Sequence, residues 1–282
     1  PALLHVGDMA MWPLGLLPRL RGGKTRVLLT SFGTDVAYPR RGGWRGWLYG
    51  RYLALGARLL GQTPVLTISR ASADETRLRG FADARVVLLA TDFALGQPRA
   101  VEPDTILFVG RLVERKGCAW FIRNVLPLLP QNVRLKVIGK AWDADESAAL
   151  ADPRVDYLGT VDQAVLEQAI QSARCVVMPN ILPKSGDFEG FGIVAAEVAA
   201  AGGVLLAARC GGLMDAVTDG VNGLLIEPGD APGWAEAIAR VGGWNPDERA
   251  GFIAGGQAHV DAELRWPRVA RDVAQLYAGI AG

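Results

Sequence analysis

Two short stretches of this 282-residue sequence combine residue types that can grip a diphosphate. The first is Phe108-Val109-Gly110-Arg111-Leu112-Val113-Glu114-Arg115-Lys116-Gly117. An apolar run ends at Gly110 and a helical pattern begins near Gly117. Arg111 and Lys116 therefore fall at the carboxyl edge of a strand, where open α/β sheets bind ligands. A guanidinium can fork onto two phosphate oxygens, and an ammonium adds a mobile point charge. Two solvated loop cations would read the same way. The second stretch is Gly186-Asp187-Phe188-Glu189-Gly190-Phe191-Gly192-Ile193-Val194-Ala195-Ala196-Glu197. Gly190 and Gly192 allow a sharp turn and a close approach of backbone to ligand. Residues 193–201 then read as an Ala-rich helix whose first amides and positive dipole end suit a phosphate. Carboxylates are not phosphate ligands, so Glu189 and Glu197 need other partners. Sugar hydroxyls fit, because a carboxylate accepts from two adjacent hydroxyls. Glu189 also reads as a helix-start carboxylate. A surface charge is a poor account of Glu197, whose neighbours Val194, Ala195, Ala196, Val198, Ala199 and Ala200 are all apolar; a buried carboxylate needs a partner.

Short apolar runs alternating with helical patterns must position these loops. Runs at 27–30, 65–68 and 86–89 read as strands in the first part, and 3–7 as a strand meeting its loop. Runs at 106–109, 135–138, 155–158, 175–178, 204–207 and 223–226 read as strands in the second. Most are continuously apolar, as expected of parallel strands covered on both faces. Residues 163–172 and 234–241 read as helices, with Asp162 and Asp230 at N-cap positions. The alternation predicts doubly wound parallel sheets. The polar, proline-containing segment 96–103 is the expected boundary, giving a first domain over 1–100 and a second from 101. The first holds fewer strands than the second, and the sequence opens at Pro1 inside an apparent strand, so missing N-terminal sequence is expected.

The net charge is +1, which argues against a dedicated nucleic-acid binder. It is unevenly spread. Residues 1–100 carry 14 Lys/Arg against 6 Asp/Glu, and the remainder 16 against 23. A basic first half suggests an anionic partner there. Arg40-Arg41-Gly42-Gly43-Trp44-Arg45-Gly46-Trp47-Leu48-Tyr49-Gly50-Arg51-Tyr52 concentrates that charge among aromatic rings. Such a mixture suits an anionic membrane interface. A helix with Trp47 and Leu48 in the core and Arg in water fits equally well. No apolar run approaches the length of a membrane span. Cys118, Cys175 and Cys210 lack metal-type spacing and read as buried apolar groups in a reducing compartment. With His5 and His259 the only histidines, a His-based metal site is not expected.

From residue 104 onward the sequence resembles the donor domain of family-four retaining glycosyltransferases, which have the GT-B fold. The likeness rests on spaced motifs: Gly110-Arg111-Leu112 with Lys116-Gly117, Val137-Ile138-Gly139, Tyr157-Leu158-Gly159, and Glu189-Gly190-Phe191-Gly192 with Glu197. Gly211-Gly212, Asp219 through Leu225, and Pro228-Gly229-Asp230 follow. The resemblance implies two Rossmann-like domains facing a cleft, the second over 101–262, and a closing helix within 263–282 that crosses back to the first. It implies that Arg111 and Lys116 bind the donor diphosphate and offset charge on the leaving nucleotide. Gly190, Phe191, Gly192 and Ile193 would meet phosphate and sugar through their backbone. Glu189 would hold the transferred sugar and Glu197 the ribose. Gly110, Gly139, Gly159, Thr160 and Val161 would flank the nucleotide. A leaving diphosphate gathers charge, so two cations and a helix start are well placed there. The implied donor is a UDP- or GDP-type sugar, with no metal and no cofactor. Asp143-Ala144-Asp145, superficially like the metal-binding pair of the other glycosyltransferase fold class, reads instead as a solvated helix start.

In the first domain the family loop at Thr30-Ser31-Phe32-Gly33-Thr34-Asp35 has Phe32 where a His often stands, and the family's Gly-rich loop is absent. His5, Asp8, Phe32 and Asp35 are the acceptor-side candidates. The expected reaction is transfer of a sugar, with retention, to a glycan or lipid-linked acceptor. The expected location is the cytoplasm, at the inner membrane face if the basic aromatic stretch meets lipid. A nucleotide-sugar-binding fragment without activity, and a GT-B epimerase or phosphorylase, are the alternatives.

Overall fold

The computed structural model describes residues 3–20, 22, 24–97 and 99–281. Pro1, the expected truncation point, and Pro98 of the 96–103 segment lie outside the described residues. The chain divides into two compact units. One takes in Pro1–Leu89, Pro183–Phe191 and Trp266–Gly282, the other Ala90–Leu182 and Gly192–Arg265.

The first unit is built on β1 (Leu3–Val6), α1 (Leu17–Leu20), β2 (Arg26–Ser31), α2 (Thr34–Ala37), α3 (Gly43–Leu60), β3 (Val65–Thr67), α4 (Arg70–Leu78) and β4 (Ala84–Val86). Its four strands pair in parallel in the order β1-β2-β3-β4. The apolar run at 86–89 is strand only at its start, and β4 begins two residues earlier than its pattern suggests. The reason lies in the bonding of the run's far end: the carbonyls of Leu88 and Leu89 accept from the Arg268 guanidinium at 2.8 and 3.1 Å instead of entering the sheet. Helix α3 also departs from one sequence expectation. Its buried face is Gly46, Leu53, Gly56 and Leu60, which recur on one side at helical spacing. Gly46 sits where a Cβ would be 3.1 Å from the Pro39 carbonyl, and Gly56 where one would be 2.9 Å from the Trp12 ring. Trp47 and Leu48 lie on the other side, 67% and 54% exposed, outside the core.

The second unit runs β5 (Glu102–Val109), α5 (Cys118–Asn124), β6 (Arg134–Ile138), α6 (Ala144–Ala149), β7 (Val155–Gly159), α7 (Gln163–Ser172), β8 (Ala173–Met178), α8 (Ile193–Ala201), β9 (Leu205–Ala208), α9 (Leu213–Ala216), β10 (Leu224–Ile226), α10 (Ala231–Gly242) and α11 (Pro246–Glu263). All six strands fall where the apolar runs put them. They form a parallel sheet in the order β10-β9-β8-β5-β6-β7. The order reverses direction between β5 and β8, so the loops after these two strands flank the switch point of a doubly wound sheet. The central strands are buried on both faces over their middle and later residues: Ile106, Leu107, Val176 and Val177 are fully covered. Asp162 and Asp230 cap α7 and α10, accepting from Val165 N at 2.9 Å and Gly233 N at 3.1 Å. Cys118, Cys175 and Cys210 are all buried.

The chain closes with α12 (Trp266–Ala281) in the first unit. Leu276 and Ile280 pack on Leu28, Leu66 and Val87, with Val269, Val273 and Tyr277 beside them. This apolar stripe at helical spacing covers one face of the four-stranded sheet.

Candidate functional site

Three neighbouring strands of the second unit each end in a glycine of positive φ: Gly110 (149°) after β5, Gly139 (147°) after β6 and Gly159 (66°) at the end of β7. The Gly110 amide donates to Ile138 O at 2.9 Å, and the Gly139 amide to Gly159 O at 2.7 Å. Beyond Gly159, Thr160 is exposed and Val161 part-buried. The strand ends thus form a side-chain-free ledge on which ligand atoms could approach the main chain.

Lys116 lies beside this ledge. A Cβ on Gly110 would be 3.9 Å from its Cε. The Lys116 side chain is buried, at 7% exposure, whereas Arg111 is exposed. The loop carrying Lys116 is fixed against the loop that follows β8. Ile181 N donates to Arg115 O at 3.1 Å, and a Cβ on Gly117 would stand 2.1 Å from Pro179 O. Gly117, at φ 70°, turns the chain into α5. The two loops flanking the switch point are thereby locked to one another, with a buried ammonium held between sequence features that are both close-packed.

Helix α8 starts beyond the same strand β8. Its N-cap is Gly192 in the left-handed region, with no side-chain cap. A first turn without a side-chain cap leaves amides available to a ligand. Ile193 at its start is 37% exposed. Glu197, one turn in, is part-buried; burial pushes its carboxyl up, Asp92 adds to this, and the Lys116 charge pulls it down. Lys116, Gly192, Ile193 and Glu197 therefore sit in one unit, and Lys116 and Glu197 feel each other's charge.

Glu189, Gly190 and Phe191 fall on the other side of the division, which passes between Phe191 and Gly192. Their segment packs within the first unit. A Cβ on Gly190 would be 2.7 Å from Phe32 O, and Ser72 Oγ donates to Gly190 O at 3.3 Å. Phe188 reaches Gly33, Arg41 pairs with Asp187 at 3.3 Å, and the Phe191 ring is buried at 2% exposure. Glu189 is part-exposed on this segment.

Three of the four acceptor-side candidates, Asp8, Phe32 and Asp35, line one cavity of about 940 Å3 in the first unit, with Tyr49, Trp44 and Arg45 among its other walls. Asp35 accepts from Ser31 Oγ at 3.0 Å and from the amides of Phe32 and Val36. Burial pushes its carboxyl up, against those hydrogen bonds. Tyr49 is raised by burial first and then by the charges of Asp35 and Asp8. Asp8 caps the 3-10 turn at Met9–Leu16 through Ala10 N at 2.7 Å. His5 is a different case. It belongs to β1 rather than to a loop, and its ring nitrogens lie 2.7 Å from Tyr277 Oη and 2.6 Å from Thr30 Oγ1. Burial lowers its pKa. Both ring nitrogens are occupied by hydroxyls, so His5 is a link between the sheet and α12.

The sequence left Tyr38 of this cavity unmarked, since it carried no motif, and gave Thr34 no role of its own within the 30–35 loop. It also left Asp92, which faces Glu197 from a segment with no pattern of its own. Asp143, by contrast, is a helix start as expected: it caps α6, and Asp145 pairs with Arg123 at 2.7 Å.

Comparison with solved structures defines the class. HepE of Anabaena, solved with UDP, superposes with a TM-score of 0.78 over 99% of this chain and 79% of that one, at 18% identity. With a four-stranded and a six-stranded parallel sheet, the fold is GT-B. Within it, residues 103–242 match the family model described as Glycosyl transferases group 1. The phosphatidyl-myo-inositol mannosyltransferase of Mycolicibacterium smegmatis is 31% identical over 194 residues, 66% of this chain and 47% of that protein. The D-inositol 3-phosphate glycosyltransferase of Xylanimonas cellulosilytica is 29% identical over 187 residues, 65% of this chain and 44% of that protein. The chain spans about half the length of the curated relatives it matches.

Proposed function

We propose that this protein is a retaining glycosyltransferase that takes a sugar from a nucleotide-diphosphate donor and passes it to an acceptor. The observation that carries the reading is the buried Lys116 ammonium beside the Gly110 ledge, in the same unit as the open start of α8. A leaving diphosphate is an anion that gains charge as the glycosidic bond breaks, and positive charge already in place beside it stabilises that change. Lys116 offsets that charge, with Arg111 as an exposed second cation. The Gly192 and Ile193 amides bind phosphate, and the Gly139 and Gly159–Val161 backbone flanks the base. Glu189 holds hydroxyls of the transferred sugar and Glu197 those of the ribose, as the family resemblance implies. No metal enters this scheme. The UDP seen in the Anabaena neighbour supports a nucleotide-sugar donor of the UDP or GDP type.

The acceptor is proposed to be a glycan or lipid-linked molecule bound in the Asp8–Phe32–Asp35 cavity. Support for the lipid-linked form comes from α3, whose outer face carries Trp44, Trp47 and Leu48, 70%, 67% and 54% exposed, among Arg45 and Arg51. Rings with cations on one face suit an anionic bilayer surface, so peripheral attachment at the inner face of a membrane is part of the proposal. No helix among the described residues is long and apolar enough to cross a membrane.

A thermal-shift screen of UDP-, GDP- and ADP-sugars tests the donor, since a bound ligand raises apparent stability by mass action. Incubation of the stabilising donor with candidate acceptors, read by the anomeric proton coupling of the product, tests retention. A donor screen without any shift, or a product of inverted configuration, would refute the proposal.

A further inference from the structure

The second unit has another cavity, at the end of its sheet opposite the glycine ledge. It measures about 470 Å3 and opens where β5 and β8 begin, at the level of the Glu102–Ala173 pair. Its lining includes Arg99, Arg174 and Arg249 and no carboxylate. Arg174 is largely buried, with its side chain 17% exposed, and pairs only loosely with Asp104 at 3.6 Å. Its guanidinium lies against Gly242, where a Cβ would stand 3.2 Å from Nη1. Its Nε is buried with no hydrogen-bond partner. Arg249 donates to Arg174 O at 2.7 Å and Ala173 O at 2.8 Å, and makes no ion pair with a described carboxylate. Arg99 is exposed at the rim.

Three guanidiniums against one loosely held carboxylate leave the cavity cationic, and a buried donor without an acceptor is a cost that a bound anion would remove. The walls add a second requirement. Half-buried Trp244, packed at a tilt of 47° against Phe252 with ring centroids 5.0 Å apart, lines the cavity together with Val101 and Ile253. Small inorganic anions would leave this apolar surface uncovered. Guanidiniums fork onto phosphate oxygens, and a ring face stacks on indole.

We propose that this cavity binds a phosphomonoester carried on a ring, an aryl phosphate or a sugar phosphate, at a site separate from that of the donor. The phosphate sits among Arg99, Arg174 and Arg249 and the ring lies on Trp244. Both ligand types share this chemistry.

Titration calorimetry with inorganic phosphate, phenyl phosphate and glucose 6-phosphate tests it. At least one ester is expected to bind saturably and more tightly than inorganic phosphate; which one does distinguishes aryl from sugar. Arg99→Glu, at the exposed rim, is expected to weaken that ester at least about tenfold. Arg174→Gln should do the same if it folds, and Arg99→Glu decides alone if it does not. Binding should persist in Lys116→Met, whose change lies at the other end of the sheet. The proposal is overturned if neither ester binds below roughly 10 mM, if binding survives Arg99→Glu, or if it is lost in Lys116→Met.

Discussion

The carbonyl oxygen of Gly110 occupies the space where a side chain on Gly139 would begin: a Cβ there would lie 1.8 Å from it. Two strand ends are thus pressed together more closely than any other residue allows, and Gly139 also holds φ 147°. Gly139→Ala should therefore destabilise by about 2–5 kcal/mol, from overpacking and backbone strain together. Gly159→Ala is the control. Its φ is 66°, but nothing lies within 4 Å of its Cβ position, so about 1 kcal/mol is expected. Urea denaturation of both variants checks the difference.

Two titrating groups predict opposite pH slopes. Glu146, at 3% exposure, accepts from Ala119 N at 2.9 Å, yet burial raises its pKa from 4.5 to about 7. The folded state then binds its proton more tightly than the unfolded chain. Stability from this group falls as pH rises from about 4.5 to about 7. Glu146→Gln should flatten that slope in denaturation curves taken at several pH values between these limits. His5 has the reverse sign. Its folded pKa is lowered from 6.5, so its protonation destabilises the fold as pH drops through that region.

His5→Ala should cost about 1–3 kcal/mol, because Thr30, buried at 5% exposure, and Tyr277 each lose a partner. Thermal melts check the loss. His5→Asn is expected to recover part of it by serving one of the two hydroxyls.

Trp44→Ser and Trp47→Ser should leave the melting temperature nearly unchanged, since both rings are largely exposed. Sedimentation with anionic vesicles should fall sharply in the double variant. Equal sedimentation of parent and variant would remove the membrane part of the proposal.

The second unit was legible in sequence because its strands are buried on both faces and so appear as unbroken apolar runs. Asp162 and Asp230 marked helix starts for the same local reason that they cap them. The return of Pro183–Phe191 to the first unit was not legible. It depends on long-range close approaches, such as Gly190 to Phe32 O and Gly186 to Arg40, that leave no local period. His5 misled for a similar reason, since its partners Thr30 and Tyr277 lie far along the chain. In α3 the rings suited a membrane face and a core equally, and glycines at 46 and 56, not the rings, set the buried face. Lys116 and Arg111 looked equivalent as loop cations, and only the fold distinguishes a buried ammonium from an exposed guanidinium.

The central claim is that the Lys116 ammonium receives the donor diphosphate. Calorimetric titration of UDP and GDP into the parent protein and Lys116→Met measures it directly, with melting curves to confirm that the variant is folded. The account predicts that the better-bound nucleotide loses at least about 30-fold in affinity, the cost of truncating one partner of a buried charge pair. Undiminished nucleotide binding by a folded Lys116→Met protein would contradict it.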